Sequence, residues 1–405
     1  MGLLAVLLVA LGLGPTAAEH AALLQVRGDT AAARVSADTI LGKHPGDAGA
    51  LFVAACAALE GGELDIASEY TARLERGRSL PQAAVLKRLV ERRRSSPDEP
   101  LRDALVAAWK EAGRPDLSAE PLLRAIESWG PLLPPFDPKV RSRLTASERF
   151  IFDTGRPATT PAAYMKAASL ASAEVEQNPV AVNLEILAAL APPADVGEVD
   201  SSSAAQAAAA HVGRIVVAAD LDNGYLPLAA ILASAPGNAP LDSDEVAAIE
   251  RALQRPRFEY TRDQALKQFR ELAARIDPRH GELRAWSAAM GGSIPLYRLW
   301  MRAEHVEDGE LRVRAGRVLQ EVGERFHNAG TALEYALSVM LAQKGAELAG
   351  DAAAVEAARV EVTRWSEWRQ SAERARKRMG NWPFAAMWRE WTPSGEVAHM
   401  RKLVE

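Results

Sequence analysis

The chain is poor in cysteine: Cys56 is the only one among 405 residues. No intramolecular disulfide can therefore form, and a metal site built from cysteines alone is excluded. Cys56 lies among the small residues of 54–58, and no cationic neighbour in sequence is placed to lower the pKa of its thiol. The sequence predicts a buried structural thiol rather than a reactive one.

An excess of basic charge is also missing. The chain has 48 Lys and Arg residues and 53 Asp and Glu residues, which gives a formal net charge of -5. A general nucleic-acid binder needs a clustered basic face, so we expect no nucleic-acid partner. Runs that alternate Val, Ile and Tyr are scarce, and alanine supplies much of the hydrophobic content. Because alanine has the highest helix propensity and little bulk, the composition predicts a closely packed all-α fold.

Motifs of catalysis and cofactor binding are absent: there is no phosphate-binding glycine loop, nucleophile elbow or His-Glu-x-x-His helix. We therefore predict no catalytic residues and no cofactor. Two Glu-x-x-His pairs, Glu324/His327 and Glu396/His399, have the spacing used in di-metal helical bundles. Such a site also needs a Glu from each of two further helices, and a Glu-rich chain with seven histidines is expected to contain one such pair by chance, so we predict no metal.

An apolar run at residues 3–13 near the N-terminus is ended by Gly14 and Pro15 and followed by small residues at 16–18. This pattern predicts a signal peptide over residues 1–18, and an exported, periplasmic or extracellular protein. An uncleaved N-terminal anchor is an alternative, and a hydrophobic first helix is another. Membrane contact is expected only through residues 1–18.

A repeat of 34 residues is the strongest pattern that is present. Three positions recur at that distance: Gly28 as Gly62, Ala33 as Ala67, and Ile40 as Leu74. This period is typical of stacked helical hairpins. A second hairpin-like stretch lies at about 205–256, with a helix predicted over 225–234 and Ser243 as the cap of the next.

Residues 14–80 resemble the tetratricopeptide repeat. Gly28 and Gly62 match its turn position, Ala33 and Ala67 its close-contact alanine, and Pro45 its terminal proline. The resemblance implies a helical-hairpin solenoid whose first helix begins near Gly14, with a concave surface for a protein or peptide partner.

The Pro-rich stretch 130–138 is the strongest breaker and divides the chain. We predict TPR-like helical repeats over 19–130. An irregular α-helical C-terminal region is predicted over 139–405, with weaker TPR-like hairpins at about 205–256. The sequence does not indicate the oligomeric state.

Five of the nine tryptophans lie between Trp365 and Trp391, interleaved with arginines. One reading is an aromatic cap on the end of the solenoid. The other is a surface for a protein, glycan or lipid headgroup, for which the candidate residues are Trp365, Trp368, Arg364 and Arg369. A basic run at 87–94 is either a solvated helix face or a phosphate site.

Two functions follow from these patterns. The favoured one is a non-catalytic protein-protein interaction scaffold, exported or associated with the cell envelope. The alternative is an all-α enzyme or glycan-binding protein of the envelope that uses the C-terminal region, with Glu324 or Glu396 as general acid or base.

Overall fold

The computed structural model of the chain describes residues 15–77, 80–129, 139–145, 148–149, 151–152, 161–177, 179, 199–235, 239–259, 262–278, 280–281, 284–285, 296–326, 331–390 and 395–405. Over these ranges the regular secondary structure is helical, apart from one isolated bridge between Asn223 and Arg257. The predicted all-α class is confirmed. No helix among these ranges is both long and apolar enough to cross a membrane.

The chain forms two compact units. The first comprises Met1–Pro134, Gln370–Trp391 and His399–Glu405, and the second comprises Pro135–Arg369 and Thr392–Ala398. Their first boundary falls within the Pro-rich breaker. The sequence placed all of 139–405 in one region, whereas two of its segments belong to the first unit.

Between residues 15 and 129, the described part of the first unit contains seven helices: α1 Ala17–Val26, α2 Thr30–Lys43, α3 Ala48–Glu60, α4 Leu64–Gly77, α5 Pro81–Ser95, α6 Leu101–Glu111 and α7 Pro121–Trp129. From α1 to α6 each helix contacts the next, and α1, α3 and α5 also contact one another in series. Helix α1 additionally contacts α7. A solenoid with contacts only between neighbouring repeats would lack that last contact.

The 34-residue repeat has a matching backbone in its two turns. Gly28 and Gly62 have φ of 84° and 77°, the left-handed region that favours glycine. In each turn the residue after the glycine donates its N–H to a carbonyl five residues earlier, at 3.0 and 2.8 Å. Ala33 and Ala67 are fully buried, so small side chains let the paired helices approach closely.

Helix α1 begins at Ala17 rather than near Gly14. The reason is a capping box, in which the Thr16 hydroxyl accepts a hydrogen bond from the Glu19 N–H at 3.2 Å. The Glu19 carboxylate accepts one in return from the Thr16 N–H at 2.6 Å.

Helix α3 is the core of the first unit, because every residue from Ala50 to Leu59 is buried. Cys56 is fully buried within it, as predicted, and burial raises the pKa of its thiol well above the usual value.

We therefore expect Cys56 to resist the thiol reagent DTNB in the native protein, because the reactive thiolate is both inaccessible and disfavoured. Absorbance of the released thionitrobenzoate should show one equivalent only after denaturation in guanidinium chloride. Rapid stoichiometric labelling of the folded chain would contradict this prediction.

The second unit contains the helices α8 Pro161–Glu174, α9 Val199–Ala219, α10 Tyr225–Ser234, α11 Ser243–Leu253, α12 Arg262–Ile276, α13 Leu296–Glu304, α14 Gly309–Arg325, α15 Ala332–Ala349 and the first part of α16 Ala352–Met379. The helix predicted over 225–234 is α10. Helix α11 is capped by Asp242, one residue before the predicted Ser243, because Asp242 and Glu245 form a capping box.

The contact between α14 and α15 depends on glycines. A Cβ on Gly316 would lie 2.7 Å from the Gly345 carbonyl oxygen, and one on Gly323 would lie 2.5 Å from the Ser338 carbonyl oxygen. Backbone therefore meets backbone along this pair, where no larger side chain fits. Nearby, the rings of Tyr225 and Phe326 meet edge to face at 5.4 Å.

The C-terminal segment of the first unit, residues 370–391 and 399–405, includes the short helix α17 Ala386–Arg389 and most of α18 Glu396–Val404. Two of its aromatic side chains, Trp382 and Phe384, join the core around α3: the Trp382 and Phe52 ring centroids are 5.2 Å apart, and Phe384 is fully buried. The Glu390 carboxylate accepts hydrogen bonds from the Leu101 and Arg102 N–H groups at 3.0 and 2.8 Å, and so caps α6.

The buried Glu60 at the end of α3 caps α17 in the same way. Its carboxylate accepts the N–H groups of Ala385 and Ala386 at 3.0 and 2.6 Å, and pairs with Arg389 at 2.7 Å. The amide of Gln25 is a further donor. Burial raises the pKa of the Glu60 carboxyl, while Arg389 and the backbone N–H groups oppose the shift. These long-range bonds explain why residues so late in sequence belong to the first unit.

Candidate functional site

A cavity of about 850 Å³ lies within the first unit. It is lined by the N-terminal ends of α1, α3 and α7, by the residues that begin α5, and by one side of α2. Its volume is in the range of sites that enclose small ligands or short peptide segments. Because α7 contacts α1, the first and the last of the seven helices both contribute to the lining of the cavity.

The cavity has an apolar part formed by side chains of several helices. Phe52 of α3 and Leu123 of α7 are buried, and Ile40, Leu80 and Leu122 are half-buried. The Phe52 ring also contacts Trp382, so the C-terminal segment packs against a side chain that forms the apolar part of the cavity. Such a surface can bind apolar side chains of a ligand.

Three carboxylates line the cavity, and each lies at a helix N-terminus. Glu19 belongs to the capping box of α1, and Asp47 accepts the Ala50 N–H at 2.8 Å to cap α3. Glu120 precedes α7 and accepts a hydrogen bond from the Gln82 side-chain amide at 2.9 Å. In the described part of the chain none of the three carboxylates forms an ion pair with a cation.

Two basic side chains, Lys43 and His44, also line the cavity. They lie at the C-terminal end of α2, whereas the carboxylates lie at helix N-termini. The lining also contains hydroxyl groups, of which the Thr39 hydroxyl donates to the Val35 carbonyl at 2.7 Å. The arrangement is suited to holding a ligand by apolar contacts and hydrogen bonds. The capping motif Thr16-x-x-Glu19 is visible in the sequence, but its convergence with Asp47 and Glu120 is not.

The four residues proposed from the tryptophan pattern lie together on α16. The ring of Trp365 is buried between Tyr335 and Trp368, at centroid distances of 4.3 and 4.8 Å. Trp368 is half-buried, whereas Arg364 and Arg369 are exposed. Trp365 therefore packs inside the second unit, and the accessible part of this set is Trp368 with the two arginines.

Arg364 pairs with Glu361 at 2.9 Å, and Glu361 also accepts the Tyr335 hydroxyl at 2.8 Å. Of the other late tryptophans, Trp382 is buried in the first unit. The side chain of Trp388 and the whole of Trp391 lie outside the described residues.

The two Glu-x-x-His pairs have separate surroundings. Glu324 is exposed and lies 3.5 Å from the amide of Gln320, and His327 lies outside the described residues. Glu396 accepts the Ala332 N–H at 3.1 Å and so helps to cap α15. Among described residues, no group of three or more His, Cys, Asp or Glu side chains is placed to hold a metal ion.

The basic run of α5 is engaged in pairs with acidic groups and a carbonyl. Arg92 forms ion pairs with Glu99 at 2.6 Å and Glu111 at 2.9 Å, and Arg94 pairs with Asp65 at 2.7 Å. The other members, Lys87, Arg88 and Arg93, contact Glu75, Glu91 and the Glu99 carbonyl. These pairs favour the interpretation of the basic run as a solvated helix face over its interpretation as a phosphate site.

His399 has a strongly perturbed environment. The pKa of its imidazole is lowered to about 4, mainly by burial and also by Arg102 and Lys402, against the opposing effect of Asp103. Its Nδ1 is buried and has no hydrogen-bond partner. The folded first unit therefore holds the neutral form of this ring.

We expect the stability of the first unit to fall as pH drops from about 6.5 to about 4. Over this interval the unfolded chain binds a proton at His399 and the folded chain does not. The loss amounts to about 2–3 kcal/mol in total, since one pH unit corresponds to about 1.4 kcal/mol. Urea denaturation at successive pH values measures it.

His399→Leu should flatten that part of the pH profile, whereas the control His20→Leu, at an exposed position on α1, should retain it. An unchanged profile in the His399 variant would show that other groups cause the acid sensitivity.

No protein-family model, curated protein or solved structure matches this chain.

Proposed function

We propose that this protein is a non-catalytic protein-protein interaction scaffold built from TPR-like helical hairpins, and that its first unit holds a segment of a partner protein. The single observation that carries the proposal is the cavity of about 850 Å³ lined by the ends of alternate helices. Its apolar side chains and hydrogen-bonding groups come from five helices, which together act as one binding surface.

The TPR-like assignment is supported by three features of helices α1 to α5. The glycine turns at Gly28 and Gly62 are alike, Ala33 and Ala67 are buried at equivalent places, and α1, α3 and α5 contact in series. The contact of α1 with α7 differs from a solenoid in which only neighbouring repeats touch, and it contributes to closing the cavity.

Export remains part of the proposal and rests on the apolar run at 3–13 and the small residues after it. Cleavage after Ala18 would remove the Thr16 cap and the first residues of α1. Cell fractionation with N-terminal sequencing of the mature chain tests both points. An unprocessed cytoplasmic protein would refute export.

Site-directed photo-crosslinking tests the scaffold proposal. Ser36 lines the cavity on α2, while the neighbouring Val35 is 67% exposed and does not line it. We expect p-benzoylphenylalanine at position 36, introduced into the full chain in its native cells, to crosslink a defined partner. Position 35 is the matched control and should not crosslink that partner. Equal crosslinking from both positions, or none from position 36, would refute a partner in the cavity.

A further inference from the structure

Two properties of the cavity restrict the ligand that it can take. The first is a surplus of hydrogen-bond acceptors, contributed by the carboxylates of Glu19, Asp47 and Glu120. A ligand that complements them must supply donors. An extended peptide does so, because its backbone N–H groups are available, whereas those inside a helix are already bonded.

The second property is the charge balance. Each helix end offsets about half a unit charge of the group beside it, and this applies to Lys43 at the end of α2 as well as to the three carboxylates. The three carboxylates and Lys43 then sum to about one negative charge. The uncapped N-terminus of α5 adds about half a positive charge, so an excess of about half a negative charge remains in the cavity. The wall therefore favours a cation over an anion.

Anion binding at the helix ends is further opposed by the caps themselves. The Glu19 N–H is bonded to the Thr16 hydroxyl, and the Ala50 N–H is bonded to the Asp47 carboxylate. Glu120 differs from the other two carboxylates, because it accepts a hydrogen bond from the neutral amide of Gln82 on another helix. An amide orients the carboxylate and adds no positive charge beside it.

We propose that the cavity of the first unit accepts an extended segment of a partner protein in which a Lys or Arg residue is flanked by apolar residues. The basic side chain pairs with Glu120, and the flanking side chains contact Phe52, Leu123 and their neighbours. This inference rests on the proposed function, since it assumes that the cavity receives a partner, and it adds the chemistry of that partner.

A positional-scanning library of acetylated hexapeptide amides tests the proposal, with binding to the full chain measured by fluorescence anisotropy. We expect selection of Lys or Arg at one position with apolar residues beside it, and about tenfold weaker binding when Glu replaces the basic residue. The preference should weaken in 0.5 M salt. Selection of an acidic residue, or no charge preference, would overturn the proposal.

Three variants localise the binding. Ser36→Trp should fill the cavity and abolish binding, while its neighbour Val35→Trp should bind normally. Glu120→Gln should keep apolar binding and lose most of the preference for the basic residue. If Glu120→Gln retains the full preference, the assignment to Glu120 is wrong.

Failure of this inference is distinguishable from failure of the scaffold proposal. If position 36 crosslinks a partner but the library shows no basic selection, the peptide class is wrong and the scaffold remains. If neither crosslinks nor peptide binding are seen, both proposals fall.

Discussion

Replacing Arg302 by methionine is expected to lower the free energy of unfolding of the second unit by about 3–4 kcal/mol. The Arg302 side chain is only 2% exposed and donates to both carboxylate oxygens of Glu245, at 2.8 and 2.6 Å. Its Nε donates to the Ala239 carbonyl at 2.7 Å. Methionine would leave these acceptors without their donor, and Glu245 with an uncompensated charge. Urea denaturation, combined with hydrogen exchange of α11 and α13, measures the effect.

Arg314→Met is the matched control. Arg314 also contacts both oxygens of a carboxylate, that of Glu250, at 3.2 and 2.7 Å, but these side chains are 37% and 41% exposed. A solvent-exposed pair of this kind contributes much less than a buried one, because water screens its charges. Similar losses in the two variants would show that burial does not decide the strength of these pairs.

The double variant Arg302→Met/Glu245→Gln gives a second check. Glutamine removes the buried charge and can still return a hydrogen bond to the Asp242 N–H in the capping box of α11. We expect the double variant to be more stable than Arg302→Met alone. A further loss would mean that the charge of the Glu245 carboxylate is not left uncompensated when Arg302 is replaced.

Gly345→Ala is expected to destabilise the second unit by about 2–3 kcal/mol, although alanine is the better helix former by about 1 kcal/mol. The added Cβ would lie 2.5 Å from the Gly316 carbonyl oxygen and would also overlap the backbone nitrogen of Gln320. Both obstacles are backbone atoms of α14, so neither can rotate away as a side chain would. Chemical denaturation followed by circular dichroism measures the change.

Gly309→Ala serves as the control on the same helix pair. An added Cβ at Gly309 would meet no atom within 4 Å, so this change should be neutral or slightly stabilising. If Gly345→Ala were equally harmless, the close backbone contact between α14 and α15 would be wrong.

Local features of the fold were predictable because they depend on residues a few positions apart. The turns at Gly28 and Gly62 follow from the need for a left-handed backbone, and α10 was expected as a helix of the hairpin-like stretch at about 205–256. The start of α1 was misplaced because the similarity to a repeat outweighed the nearer signal, the capping box at Thr16 and Glu19.

The late tryptophans illustrate what local sequence could not reveal. Trp365 and Trp368 are one turn apart on α16, which correctly places them on a shared face. That the face is covered depends on Tyr335, 30 residues earlier, and no pattern within α16 indicates it. Trp382 likewise contacts Phe52, more than 300 residues away in sequence.

By itself, the sequence determined the helical class, the glycine turns and the burial of Ala33, Ala67 and Cys56, since helix propensity, capping and small-residue spacing act over one or two turns. The tertiary structure decided that α7 contacts α1, that Glu60 and Glu390 join the C-terminal segment to α3 and α6, and that the carboxylates of Glu19, Asp47 and Glu120 meet at one cavity. These contacts join residues far apart in sequence, and they are selected by the packing of whole helices rather than by any local preference.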